Sequence, residues 1–179
     1  METKKEIKIT KIYNDYPWSY GAPLPFIMSD DYKTVLFYYM QNSIYNGKSM
    51  SVTHDMQDNI AFVEFENCYA HKLEGINEEV INAHPLMKDG GTYDIFIIEN
   101  SSWIEELQKI NSVHAYYNPE HWKDYKHYFF VFHDSMFQCI AEKITITPHQ
   151  ISYNEAVQQA ISKIIPNNNE AIKIQISNT

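Results

Sequence analysis

Residues 127–142 read HYFFVFHDSMFQCIAE, two apolar runs parted by Asp134 and Ser135, and a chain that carries them has few ways to fold. Dense aromatic and β-branched residues favour extended backbone. Asp and Ser favour a turn, because their side chains bond nearby backbone N–H groups. Strands over 126–133 and 136–144 joined by two residues make an antiparallel hairpin in which His133 faces Met136, Phe132 faces Phe137 and His127 faces Glu142. Asp and Ser do not readily adopt the positive φ of the usual two-residue turns, so a loop of three to five residues that includes His133 is the alternative. One hairpin face then carries Tyr128, Phe130, Phe132, Phe137, Cys139 and Ala141, a core surface in which each buried Phe contributes about 1.5–3 kcal/mol. The other carries His127 and His133 with Phe129, Val131 and Ile140 between them, so it also needs a cover, for which a helix is expected. Neighbours on a strand point to opposite faces, whereas a catalytic base must lie between its nucleophile and its acid. The His-Asp-Ser triplet is therefore read as a turn.

The remaining elements follow from the same patterns. A half-exposed strand is expected over 6–13. The run YPWSYGAPLPF over 16–26, with three prolines and a glycine, is excluded from helix and central strand; its Tyr16, Trp18, Tyr20 and Phe26 are expected to pack under a long connector, the alternative being a lid over the core. Strands are expected at 33–40 and 59–73, the second bulged near Asn67, with Ala61, Val63 and Phe65 on one face and Glu64 and Glu66 on a solvent face. A polar loop runs between them to about residue 58. A short helix begins after Asn77 and is stopped by Pro85; KDGG at 88–91 turns the chain. Residues 92–98, apolar on both faces, make a central strand. A capping box of Ser102 and Glu105 starts a helix with a buried stripe of Trp103, Ile104, Leu107 and Ile110. Asn118 and Pro119 start a short helix. Ser152 and Glu155 form a second capping box, ahead of a stripe of Ala156, Ala160, Ile161 and Ile164. The sum is a single α+β domain over 1–179, a mainly antiparallel sheet with three or four short helices, residues 166–179 serving as a peripheral strand or arm.

Charge and composition narrow the function classes. The formal charge is −9, which opposes nucleic acid and anionic membranes and favours a basic partner. All 14 basic residues are lysine, so a bidentate guanidinium on phosphate or carboxylate is excluded. Cys68 and Cys139 lack CxxC spacing and read as small buried hydrophobes. The chain opens METKKEIKIT, without a signal-peptide core, and holds no apolar run of about 18 residues; a cytoplasmic setting is expected.

ENSSWIEELQKIN followed by VH, a proline-capped short helix and HYFFVFHDSMFQCIAE resembles a group of small uncharacterised bacterial proteins that share an ENSSW-like segment and an HDSxFxCxA-like hairpin. The resemblance covers residues 97–142. It implies a bacterial cytoplasmic source and a related fold, and supplies no catalytic residues.

Site chemistry is sparse. The eight histidines show no HxH, HxxxH or HExxH spacing, and His127 and His133 stand roughly 20 Å apart on one strand. A metal site would have to be assembled from distant segments such as His54, Asp55 and His114. Glu64 and Glu66, about 7 Å apart, are read as surface rather than as a glycosidase pair. There is no Walker loop, GxGxxG or GxSxG. No catalytic residue, metal or cofactor is assigned. The expectation is a non-catalytic binding or interaction protein with a protein partner, an inhibitor or immunity-type protein being one form. The alternative is a small enzyme or ligand-binding domain whose pocket gathers Glu99, Trp103, His114, His133 and Asp134. A separation of His133 and Glu99 beyond about 12 Å with no cavity between them counts against the enzyme, because it exceeds hydrogen-bond reach.

Overall fold

The computed structural model describes residues 6–12, 14–43, 56–87 and 93–165. The expected KDGG turn, residues His54 and Asp55, and the expected arm at 166–179 lie outside these. The described chain forms nine strands: β1 (Lys8–Ile12), β2 (Phe26–Ser29), β3 (Thr34–Tyr39), β4 (Asp58–Glu66), β5 (Ala70–Glu74), β6 (Ile95–Glu99), β7 (Lys126–Val131), β8 (Met136–Ala141) and β9 (Lys143–Ile151). Two α-helices, α1 (Ser102–Asn111) and α2 (Tyr153–Ile164), and two 3₁₀ turns, Glu78–Ala83 and Pro119–Trp122, complete the described elements.

The expected α+β class with antiparallel pairing is present, but in two sheets rather than one. The first has the order β1-β6-β7-β8-β5 and the second β2-β3-β4-β9. They face each other across a core of Trp18, Leu36, Tyr38, Val63, Phe65, Ile95, Phe130, Phe132 and Phe137. The outer face of the second sheet, with Val35, Phe37, Ile60 and Phe62, is closed by Ala156, Ala160 and Ile164 of α2. The outer face of the first, with Phe96, Ile98, Phe129, Val131 and Met136, is closed by Ile81 and Met87.

The chain crosses between sheets twice at one end, and these crossings correct two expected strands. The 59–73 strand breaks at Asn67, whose φ of 50° is left-handed, a region that Asn tolerates better than most residues. β4 therefore stays in the second sheet while β5 joins the first. The strand expected to run through 144 ends at Ala141, and Glu142 carries the chain across to β9. Its N–H donates to the Glu66 carbonyl at 3.0 Å, pinning the two crossings side by side. The second face of β4 is open to solvent only at its end: Ile60 and Phe62 lie under α2, Glu64 is partly exposed and pairs with Lys163 at 2.7 Å, and Glu66 is exposed as expected.

The hairpin forms with its register displaced by two. Val131 pairs with Met136, Phe130 with Phe137 and His127 with Ile140 rather than Glu142. The Phe132 N–H donates to the Ser135 carbonyl at 2.9 Å, which centres the turn on His133 and Asp134. Because the displacement is even, every side chain keeps its expected face. Tyr128, Phe130, Phe132, Phe137, Cys139 and Ala141 all enter the intersheet core.

Candidate functional site

The five residues expected to share a pocket occupy three places. Val131 donates its N–H to the Asp94 carbonyl, which sets the His133 turn beside the start of β6. Glu99 ends β6 five residues further on, roughly 16 Å away at about 3.3 Å per residue. There Glu99 accepts from Lys8 Nζ at 3.1 Å and Thr10 Oγ1 at 2.9 Å, and these contacts hold its carboxyl below the usual range. Glu99 lines a cleft with Ser101, Ile104 and Tyr125, whereas the cleft at the other end of β6 is lined by Lys11, Trp18, Tyr20, Tyr93 and Asp94. The two share no residue.

Trp103, half-buried at the start of α1, meets the His127 ring edge-on at 5.3 Å, with Lys72 Nζ 5.4 Å from its own centroid. Beneath it runs a directional chain of hydrogen bonds. Ser101 Oγ lies 2.8 Å from His127 Nδ1, and His127 Nε2 lies 2.9 Å from Gln138 Oε1. Gln138 Nε2 donates to Glu74 at 2.5 Å, and Lys72 pairs with Glu74 at 3.3 Å. Since the Gln138 amide nitrogen is engaged by Glu74, its oxygen faces the imidazole. Nε2 therefore carries the proton, and Nδ1 accepts from the Ser101 hydroxyl. Burial drives the His127 pKa down to about 4. Ser101, rather than the expected Ser102, caps α1 by accepting from the Ile104 N–H. Asn100, at φ 54°, turns the chain sharply enough to bring Ser101 over β7.

His133 and Asp134 stay together and gain two neighbours that the sequence did not single out. His133 Nε2 lies 3.2 Å from Glu78 Oε1 and its Nδ1 lies 2.9 Å from Asp134 Oδ1. The Glu78 N–H donates to the His133 carbonyl at 3.1 Å, and Tyr93 stacks on the imidazole with centroids 6.0 Å apart. Burial and the adjacent Glu78 push the Tyr93 phenol up to about 12. Glu78 was legible only as the first residue of a helical turn. Nothing local links it to a histidine far along the chain.

His114, exposed past the end of α1, borders a third place. Tyr69, Trp122 and Tyr125 form a three-ring group with centroids 4.8–5.9 Å apart. With His114, Tyr116, Tyr117 and His121 they line a cleft of about 220 Å³. Next to it α1 departs from expectation. No residue of α1 is buried: Trp103, Ile104 and Leu107 are half-buried and Ile110 is 60% exposed. The loop beyond leaves Val113 and Tyr116 each 89% exposed.

Comparison with protein-family models, with curated proteins and with solved structures returns no match. Among the described residues, no helix is long and apolar enough to cross a membrane.

Proposed function

We propose that this chain is a non-catalytic binding protein whose docking surface is α1 with the aromatic loop after it, and that its partner is a basic protein. One observation carries the reading: an amphipathic helix whose apolar stripe is only half-buried at Trp103, Ile104 and Leu107 and exposed at Ile110, continued by Val113 and Tyr116 in full exposure. Apolar surface left in water is unfavourable by about 25 cal/mol per Å², and Tyr and Trp are the side chains that most often anchor protein interfaces. The aromatic cleft beside the helix supplies both. The net charge of −9 favours a basic partner and steers its approach. The rival enzyme pocket is disfavoured because its five residues stand in three places, with His133 and Glu99 at opposite ends of β6.

The test places a photo-cross-linking residue at Tyr116 and, as a control, at Tyr32, which is equally prominent in the turn between β2 and β3. The expected result is one basic protein labelled from position 116 and not from 32. Its affinity for the purified chain should fall at least tenfold with Val113→Asp and Tyr116→Ala combined, and should weaken as salt rises. Equal labelling at both positions, capture of a second copy of the chain, or an affinity indifferent to both substitutions overturns the proposal.

A further inference from the structure

We infer that Glu78, His133 and Asp134 form a binding site for a divalent transition-metal cation of the zinc type. Ligand atoms of the three residues lie within 4.8 Å of one another. The imidazole has a carboxylate oxygen at each nitrogen, Glu78 Oε1 at 3.2 Å from Nε2 and Asp134 Oδ1 at 2.9 Å from Nδ1. A neutral imidazole carries one N–H, so one of its nitrogens must present a lone pair to a carboxylate oxygen. Such a contact between acceptors is relieved by a cation.

The surroundings repeat the same shortage of donors. Glu78 Oε2, His133 Nδ1 and the Oδ1 of neighbouring Asn77 are buried without a hydrogen-bond partner, which native structures rarely tolerate. Asn77 holds the N-cap position of the Glu78–Ala83 turn yet makes no capping bond. A second proton on the imidazole would supply no donor to Glu78 Oε2 or Asn77 Oδ1.

The site is also partly built in advance. The backbone bond from Glu78 to His133 and the stacked Tyr93 ring fix the two segments relative to each other. One imidazole nitrogen and two carboxylates suit zinc, whereas magnesium and calcium prefer oxygen alone. Donors about 2.1 Å from a shared ion stand about 3.4 Å apart in a tetrahedron, so capture draws the carboxylates inward by roughly 1 Å. The site is independent of the docking surface proposed above, which uses other residues.

Calorimetric titration of the full chain with zinc sulfate tests this, with magnesium chloride as the comparison and Glu78→Gln, Asp134→Asn and His133→Asn as variants. One equivalent of zinc should bind with micromolar or tighter affinity, at least tenfold more weakly in each variant, and magnesium should not bind. Long-range ¹⁵N–¹H spectra of the unsubstituted chain should show His133 as the imidazole that zinc perturbs, a readout that does not depend on any variant folding. Absence of stoichiometric binding, affinity unchanged in Glu78→Gln and Asp134→Asn, or perturbation of other histidines in place of His133 overturns the inference.

Discussion

His127 shows how much one side chain can decide. In the sequence it is one of two histidines on the less apolar hairpin face, expected opposite Glu142. In the fold it is buried between Ser101 and Gln138 and is neutral at physiological pH because charging it would require desolvation. Its folded pKa of about 4 lies below the ordinary 6.5, so the unfolded chain binds the proton more readily. The stability tied to this group is therefore complete above about pH 6.5 and is lost as pH falls from there to about 4, a difference on the order of 3 kcal/mol. Thermal melts from pH 7 to 4 should show this decline, and His127→Phe, at some cost in absolute stability from the unpaired Ser101 and Gln138, should flatten it. The two cysteines also differ at this scale, although the sequence treats them alike. Cys139 is buried with its thiol pushed well up, whereas Cys68 is half-buried, and a hydrogen bond from the Cys139 side holds its thiol down to about 7.

The two α-helices have similar sequence patterns and opposite fates. α2 has the expected capping box, Ser152 Oγ accepting from the Glu155 N–H and Glu155 accepting from the Ser152 N–H, and it buries Ala156, Ala160 and Ile164 of the expected stripe while Ile161 is half-buried. α1 starts one residue earlier than its serine pair suggests and buries no residue fully, Trp103, Ile104 and Leu107 staying half-buried. Substitutions should separate them: Ser152→Ala should cost about 1 kcal/mol and Ile164→Ala about 2–5, whereas Ile110→Ser in α1 should stay within roughly 0.5, all measured by denaturant unfolding. Periodicity marked both helices because local hydrogen bonding and side-chain spacing are properties of a dozen consecutive residues. It could not say whether a stripe finds a surface to cover. The hairpin register failed for a related reason: strand composition located the two arms, but the two-residue displacement depends on which residues the turn recruits, and His133 with Asp134 serves as well as Asp134 with Ser135.

At the scale of the molecule the two sheets are held by one continuous aromatic core. Phe137, fully buried, lies 5.5 Å from Phe65 of the opposite sheet and 5.8 Å from Phe130 of its own. Phe137→Ala should cost about 3–5 kcal/mol and lower the denaturation midpoint, while Tyr32→Ala should leave it nearly unchanged. The sequence by itself determined the hairpin faces, the helix starts near Ser101 and Ser152, the short turns after Asn77 and Asn118 and the antiparallel α+β class, because each is written in the spacing of neighbouring residues. Only the tertiary structure decided that Asn67 and Glu142 divide the strands between two sheets, that Glu78 meets His133, that Glu99 and His133 stand at opposite ends of β6, and that the stripe of α1 is covered only in part. Those outcomes depend on which distant surfaces bury one another, and burial is shared among many residues rather than encoded in any single stretch.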